Sequence, residues 1–303
     1  MTQRLVQALQ AQWPGPWRIQ ELGASGFCST WRADGPAGAC FVKTLPPPHA
    51  ATLEAEADGL QALAGSGCVR VPRVLASFTD APQDLALLVM EWLPLQRPRA
   101  DYGPRLGRAL AALHAAPAPG GGRFGWHREN RLGPTPQPNG WSREGGLAGW
   151  LDFLRGQRLL ALNARLQAAG GHEELVLAVQ QVADRLDPLF DGGPVPRPAL
   201  LHGDLWLGNC GALADDEPVL YDPAVSVSDP GMELALLQLF GQPPAGFWHA
   251  YQEAAGWTPD DLQAHERRRP VYQLYHLLNH VLVFGGGYGR QALAVAGQLL
   301  RPR

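Results

Sequence analysis

Cysteine is scarce in this chain of 303 residues, and its four copies, Cys28, Cys40, Cys68 and Cys210, form no C-x-x-C pair. That spacing leaves out a disulfide framework and predicts reduced thiols and cytoplasmic residence. Charge of one sign is also lacking: a formal net charge of −3 and a pI near 6.3 give no general electrostatic reason to bind nucleic acid or an anionic membrane. The basic cluster Arg267 to Arg269, just before Pro270, is the local exception and reads as a solvated loop ahead of a helix. No apolar run approaches the roughly 20 residues a membrane span requires, and the first residues lack a basic start followed by an apolar signal core. No linker or low-complexity stretch divides the chain, whose 46% hydrophobic content suffices for two lobes with separate cores.

Residues 200–223 read LLHGDLWLGNCGALADDEPVLYDP. Asp204 precedes Asn209 by five positions and Asp222 by eighteen, intervals that suit a phosphoryl-transfer site. Such chemistry passes through a charge-rich transition state, so it needs a carboxylate to orient the acceptor hydroxyl and oxygen ligands to hold Mg2+ against ATP phosphates. Asp204 fits the first task; Asn209 and Asp222 fit the second, with His202 in support. The acidic tip at Asp215, Asp216 and Glu217 predicts a turn, and Val219 to Tyr221 a short buried strand that returns Asp222 beside Asp204. Taken singly, these residue types are ordinary in turns, so the weight lies in the combined spacing.

Upstream, residues 39–45 (ACFVKTL) alternate as a short strand that Pro46 to Pro48 ends, which places Lys43 near a strand end. Leu53, Ala57, Leu60 and Ala64 then mark the buried stripe of a helix, with Glu56 on the same face and Glu54 turned outward. An inward carboxylate needs a cation, and Lys43 is the natural one. Gly23 and Gly26, in residues 21–31 (ELGASGFCSTW), mark a phosphate-covering turn reduced to G-x-x-G. Cys28 lies in that turn, where oxidation would block nucleotide binding. Residues 85–90 (LALLVM) read as a buried strand that runs out through Glu91, Trp92, Leu93 and Pro94 into a connection between lobes.

Together these stretches resemble the fructosamine and ketosamine kinase family, which shares the bilobal fold of aminoglycoside phosphotransferases and protein kinases. The likeness runs along nearly the whole chain: FVK at 41–43, EAD at 56–58, LVMEWLP at 88–94, TPQPNGW at 135–141, LLHGDLWLGNC at 200–210, YDPA at 221–224, ELA at 233–235 and PVYQLYHLLNH at 270–280. The tryptophan of HGDLW and the TPQPN segment are the parts particular to ketosamine kinases. The resemblance implies an α+β, protein-kinase-like fold, with a small lobe over residues 1–93 (antiparallel sheet plus one helix) and a larger, mainly helical lobe over 94–303. It implies Asp204 as catalytic base, Asn209 and Asp222 as magnesium ligands, and Lys43 with Glu56 on ATP. Met90 would line the back of the adenine pocket, Glu91 and Leu93 would supply hinge backbone contacts, and Trp206 would stack on the substrate sugar. The implied reaction is phosphorylation of a ketosamine, at the C3 hydroxyl, by a monomer that acts in protein or metabolite deglycation. Two alternatives stay open: a kinase for an aminoglycoside, choline-like or other small alcohol, and a non-catalytic nucleotide-binding scaffold.

Overall fold

The computed structural model describes residues 1–25 and 28–301. Helix α1 (Thr2–Gln12) is followed by strands β1 (Arg18–Ser25), β2 (Cys28–Gly35) and β3 (Gly38–Leu45), then α2 (Ala50–Gly65), β4 (Val74–Asp80) and β5 (Leu85–Glu91). The five strands form one antiparallel sheet in the order β1-β2-β3-β5-β4. Strand β3 sits in the middle, with Lys43 opposite Thr30 on one side and Leu88 on the other. The unbroken apolar run of β5 follows from burial on both faces, because successive side chains alternate sides. Leu85, Leu87 and Val89 pack with Leu5, Ala8 and Leu9 of α1, whereas Ala86, Leu88 and Met90 pack with Leu53 and Leu60 of α2.

Leu53, Ala57 and Leu60 are buried on α2, but Leu63 completes the stripe and Ala64 is exposed. Both lie near the inward face, and the larger leucine removes more apolar surface from water.

The rest of the chain is mostly helical. It comprises α3 (Tyr102–Ala115), the hairpin β6 (Asn130–Leu132) and β7 (Thr135–Gln137), α4 (Gly146–Phe153), α5 (Ala161–Ala169), α6 (Glu173–Asp184) and α7 (Asp187–Phe190). After β8 (Ala199–Leu201), β9 (Cys210–Ala212), β10 (Pro218–Leu220) and β11 (Ser226–Ser228) come α8 (Pro230–Leu239), α9 (Phe247–Ala255), α10 (Pro259–Phe284) and α11 (Gly287–Leu299). One apolar core, with Trp150, Phe153, Tyr272 and Tyr275, lies within the helical part. Another joins α2 and the inner sheet face to α3 and β8, so the sheet region and the helical region share apolar packing. No helix among the described residues is long and apolar enough to cross a membrane.

The Arg267 to Arg269 cluster departs from its expected place in a solvated loop. It lies inside α10, which continues through Pro270. Arg268 is buried, donates to the Pro194 carbonyl oxygen at 2.6 Å and lies over the Phe190 ring at 4.9 Å. Proline removes one helical hydrogen bond and disfavours helix in the residue before it. Here the flanking packing, with Val271, Tyr272 and Leu274 fully buried, outweighs that penalty.

Helices α3 and α9 approach closely where α3 carries glycine. A Cβ on Gly107 would sit 2.5 Å from the Phe247 carbonyl oxygen and 3.0 Å from the Tyr251 nitrogen, both backbone atoms. Gly107→Ala should therefore lower the thermal midpoint, because overpacking costs about 2 kcal/mol against a gain of about 1 kcal/mol in helix propensity. Thermal unfolding checks this, and a raised midpoint would refute the close-approach account.

Candidate active site

Central strand β3 and helix α2 bring their charged groups together beneath the sheet. Lys43 Nζ donates to Glu56 Oε1 at 2.7 Å and to Asp222 Oδ1 at 2.7 Å. Glu54, one helical turn step away from that face, is exposed and pairs only loosely with Arg128 at 3.9 Å. Burial pulls the Lys43 ammonium down, but the Glu56 and Asp222 carboxylates outweigh it and hold the group well above the ordinary lysine range. Lys43 is also the sole lysine of the chain, a signal open to anyone counting residues.

Asp204 and Asp222 come from two loops that are laced together. The Ala224 N–H donates to the His202 carbonyl oxygen at 2.9 Å, and His202 Nε2 donates to the Tyr221 carbonyl oxygen at 3.0 Å. His202 Nδ1 in turn accepts the Asp204 N–H at 3.3 Å. Those partners require the neutral ring with hydrogen on Nε2, in keeping with a pKa lowered by burial, which outweighs nearby Glu233. Gly203 adopts φ +85° between these contacts, and a Cβ there would meet the Ala224 carbonyl oxygen at 1.9 Å.

Strands β9 and β10 form the predicted turn and return, pairing Cys210 with Leu220. Asn209 and Asp222 thus stand at the two ends of one short hairpin, and the Tyr221 N–H bonds the Asn209 carbonyl oxygen at 3.1 Å. The Asn209 side-chain nitrogen donates to the Asp204 backbone oxygen at 2.8 Å and to its Oδ2 at 3.2 Å. Burial, and after it the Asp222 charge, push the Asp204 carboxyl up to about 6, against the opposing Asn209 hydrogen bond.

Glu233 was not singled out from sequence as a site residue. Its carboxylate, fully buried on α8, accepts the Gly203 N–H at 2.8 Å and the His114 Nε2 hydrogen at 3.0 Å, and His114 Nδ1 meets the Tyr251 hydroxyl at 2.9 Å. It clamps the loop that carries Asp204. An acid in the apolar run 232–237 (MELALL) was the available sign, since a buried carboxylate must find donors.

Lys43, Glu56, Asp204, Asn209 and Asp222 all line one cavity of about 740 Å³. Trp206 lines it as well, with its ring over Gly208 and 42% of its surface exposed, which is unlike a packing tryptophan. Of the other expected nucleotide contacts, Gly23, Met90, Glu91 and Leu93 lie off this cavity, whereas Cys28 of the expected phosphate turn lines it. Gly23 sits on β1 at an irregularity opposite Thr30, and Gly26 lies outside the described residues. Met90 is buried under the sheet, and Glu91 commits its side chain to Arg70 at 2.6 Å and its N–H to the Arg73 carbonyl oxygen at 2.9 Å. The Leu93 carbonyl oxygen accepts from the Leu95 N–H at 2.9 Å. Cys28 is buried, and burial pushes its thiol up to about 11 against the pull of Lys43, which works against ready oxidation.

The segment 135–139 (TPQPN) keeps its polar side chains in the interior. Thr135, Gln137 and Asn139 are buried, and Gln137 Nε2 donates to Asn130 Oδ1 at 2.7 Å and the Ala224 carbonyl oxygen at 3.3 Å. Asn130 Nδ2 holds the Val225 carbonyl oxygen at 2.7 Å. The tip of the same hairpin, Arg131 to Pro134, reaches the cavity.

The family model for fructosamine kinase matches residues 2–302. A Synechocystis protein named "Probable ketoamine kinase" is 38% identical, covering 99% of this chain and 97% of that protein. A crystal structure from Haemophilus somnus 129PT, carrying the name "Putative fructosamine-3-kinase", superimposes with a TM-score of 0.82 at 25% identity, covering 99% of this chain and 98% of that one. The aminoglycoside phosphotransferase APH(4)-Ia, in ternary complex with ADP and hygromycin B, shares the fold at a TM-score of 0.64 and 13% identity, over 99% of both chains. Sheet, helices and these likenesses agree on an α+β, protein-kinase-like architecture. The chain belongs to the fructosamine kinase family.

Proposed function

We propose that this protein transfers the γ-phosphoryl group of ATP to the C3 hydroxyl of a ketoamine, the adduct left when a sugar reacts with an amine. The observation that carries the reading is the Lys43 ammonium held between Glu56 and Asp222 in the same cavity as the Asp204 carboxylate. The likeness to proteins named as ketoamine and fructosamine-3-kinases supports the substrate class and the position. The phosphorylated product is unstable and breaks down to free the amine, so the physiological outcome is deglycation.

In this mechanism Lys43 neutralises phosphate charge, and Glu56 fixes the direction of the ammonium. Asp204 orients the acceptor hydroxyl and takes its proton as the new P–O bond forms and the bond from the γ-phosphorus to the β–γ bridging oxygen breaks, releasing ADP. Asn209, whose amide nitrogen is engaged by Asp204, offers its oxygen, and Asp222 offers its second carboxylate oxygen. Two oxygen donors beside phosphates match what Mg2+ asks of a protein, and the ion would offset charge on the β- and γ-phosphates. Trp206 presents an aromatic face to the sugar C–H groups. At the connection between lobes 1–93 and 94–303, the Glu91 N–H is already taken, so its carbonyl oxygen and the Leu93 N–H are the groups for the adenine edge, with Met90 behind and Gly23 and Gly26 over the phosphates. A monomer in the cytoplasm, with no nucleic-acid or membrane partner, completes the proposal.

ATP consumption measured across a panel of fructosyl- and ribulosyl-amines, with identification of the phosphorylated product, tests reaction and substrate together. A C3 phosphate is expected. Failure of every ketoamine, with turnover of an aminoglycoside or choline-like alcohol, would overturn the assignment.

Asp204→Asn should cut turnover by roughly a hundredfold or more with ATP affinity nearly kept, because the lost group acts on the acceptor. Asp222→Asn should instead weaken magnesium-dependent nucleotide binding, and equal effects on nucleotide affinity would show the roles misassigned. Asp204 also makes a pH-dependent stability prediction. Its folded pKa of about 6 lies above the ordinary 3.8, so the folded state holds a proton that the unfolded state releases, and stability falls as pH rises from 3.8 to 6. In EDTA, Asp204→Asn should be more stable than the parent by about 3 kcal/mol at pH 7, with the gain vanishing below about pH 4. Denaturant melts at both pH values check the sign.

A further inference from the structure

Beyond the catalytic groups, the cavity continues into an aromatic end that the phosphoryl-transfer mechanism leaves without a task. Phe240 follows α8, His280 and Phe284 occupy the last turns of α10, and Tyr288 begins α11; all four line the cavity that contains Asp204 and Trp206. The His280 ring stands at the centre, 4.4 Å from the Phe240 ring, 5.3 Å from Phe284 and 5.0 Å from Tyr288 between centroids. Phe284 is 66% exposed and Phe240 36%, so apolar surface is left facing water at the mouth of a polar catalytic site.

The aromatic rings and the end of α10 favour positive charge over negative. Aromatic faces carry negative quadrupole density that attracts a cation. The α10 helix ends at Phe284, and a helix C-terminus presents its unsatisfied carbonyl groups and the negative end of its dipole. His280 Nδ1 donates to the His276 carbonyl oxygen at 2.9 Å, and burial lowers the ring pKa, so Nε2 is left as an acceptor. Among the described residues, the cations that line the cavity come from other elements: Lys43 is held by two carboxylates, and the Arg131 guanidinium bonds the Pro134 carbonyl oxygen in its own hairpin, while Arg290, near Gly287, is exposed and outside the lining.

A ketoamine places a protonated secondary amine next to its sugar carbons, followed by whatever carried the amine. With the sugar hydroxyl at Asp204 and the sugar face on Trp206, the amine side enters the remaining length of the same cavity. We propose that Phe240, His280, Phe284 and Tyr288 form the subsite for the amine side of the ketoamine and select amines borne on an apolar stem over amines with a carboxylate beside the nitrogen. An apolar stem gains burial against the rings, whereas an adjacent carboxylate would lose water and meet aromatic faces and helix carbonyls, with no lysine or arginine among the described residues that line that wall. The inference rests on the ketoamine kinase reading and deepens it, by naming what lies beyond the nitrogen.

The test compares three fructosyl adducts with one common sugar: of butylamine, of glycine, and of the lysine side chain in a capped neutral peptide. The butylamine adduct should show a KM about tenfold below that of the glycine adduct, with kcat differing by less than about threefold. A lysine adduct that matches butylamine identifies side-chain stems as a natural source; one that matches glycine while butylamine stays favoured restricts the subsite to small free amines, still apolar. Phe284→Ala, at an exposed position, and Tyr288→Ala should each raise KM for the butylamine adduct severalfold and bring the two KM values together, whereas Phe284→Leu should restore much of the preference. Equal KM values for butylamine and glycine adducts in the parent enzyme, or a ratio unmoved by Phe284→Ala, would overturn the subsite while leaving ketoamine phosphorylation standing. If the parent turns over none of the three adducts, the ketoamine reading itself fails, and the subsite falls with it.

Discussion

An ammonium buried among protein atoms is stable only if carboxylates surround it, and here the ammonium and its two carboxylates arrive from three separate stretches of sequence. Lys43 comes from the middle strand of the sheet, Glu56 from the helix behind it, and Asp222 from the far end of the β9–β10 hairpin. The contact therefore does two jobs at once. It satisfies a charge that could not be left alone in a low-dielectric interior, and it ties the sheet region to the catalytic loops across the cavity. In the proposed mechanism, nucleotide phosphates brought to Lys43 would compete with Asp222 for the ammonium. The Asp222 carboxylate, 42% exposed on its side chain, is the partner with room to turn toward a metal ion instead, while Glu56, at 13%, stays in place.

Around that pair the site is stiffened by backbone contacts rather than by side-chain bulk. The Gly203 N–H on Glu233, the His202 ring on the Tyr221 carbonyl and the Ala224 N–H on the His202 carbonyl fix the two aspartate-bearing loops at one separation. Glycine at 203 is what lets the chain pass so near Ala224. Preorganisation of this kind matters for phosphoryl transfer, where the protein contributes position and electrostatics more than bond-making. It carries a cost too, because holding Asp204 half-buried beside Asp222 raises the free energy of the carboxylate to which the proposed mechanism assigns the proton.

Legibility in the sequence followed the range of the interactions. Asn209 and Asp222 were readable because a short hairpin, a local unit with turn residues at its tip, brings its own ends together. Glu56 was readable because helical periodicity marks the inward face, and β5 because a run of six apolar residues of strand length has few other uses. The Arg267 to Arg269 segment misled for the opposite reason: proline and charge are local loop signals, while the burial of Arg268 against Pro194 and Phe190 is set by distant packing. Likewise Leu63 displaced Ala64 from the α2 stripe through the neighbours it meets, which periodicity alone does not rank. Phe240, His280, Phe284 and Tyr288 are joined by no sequence signal and meet only because α8, α10 and α11 pack side by side.

The TPQPN segment shows how a signature can bear on substrate without touching it. Gln137 and Asn130 hold the carbonyl oxygens of Ala224 and Val225, the residues that follow Asp222-Pro223, and the Tyr275 hydroxyl donates to Gln137 from α10. Asn139 in turn accepts from the buried Arg158 guanidinium at 2.8 Å, which has no acidic partner in its contacts and rests on the Phe153 ring. Each of these groups is buried and polar, so removing one partner would strand another away from water. The hairpin thus acts as a rigid strut: its root locks the Asp222 segment to α10, and its tip, Arg131 to Pro134, is delivered into the cavity. The root and the tip cannot shift independently, so the shape of the acceptor end and the placement of Asp222 are coupled through one short stretch of chain.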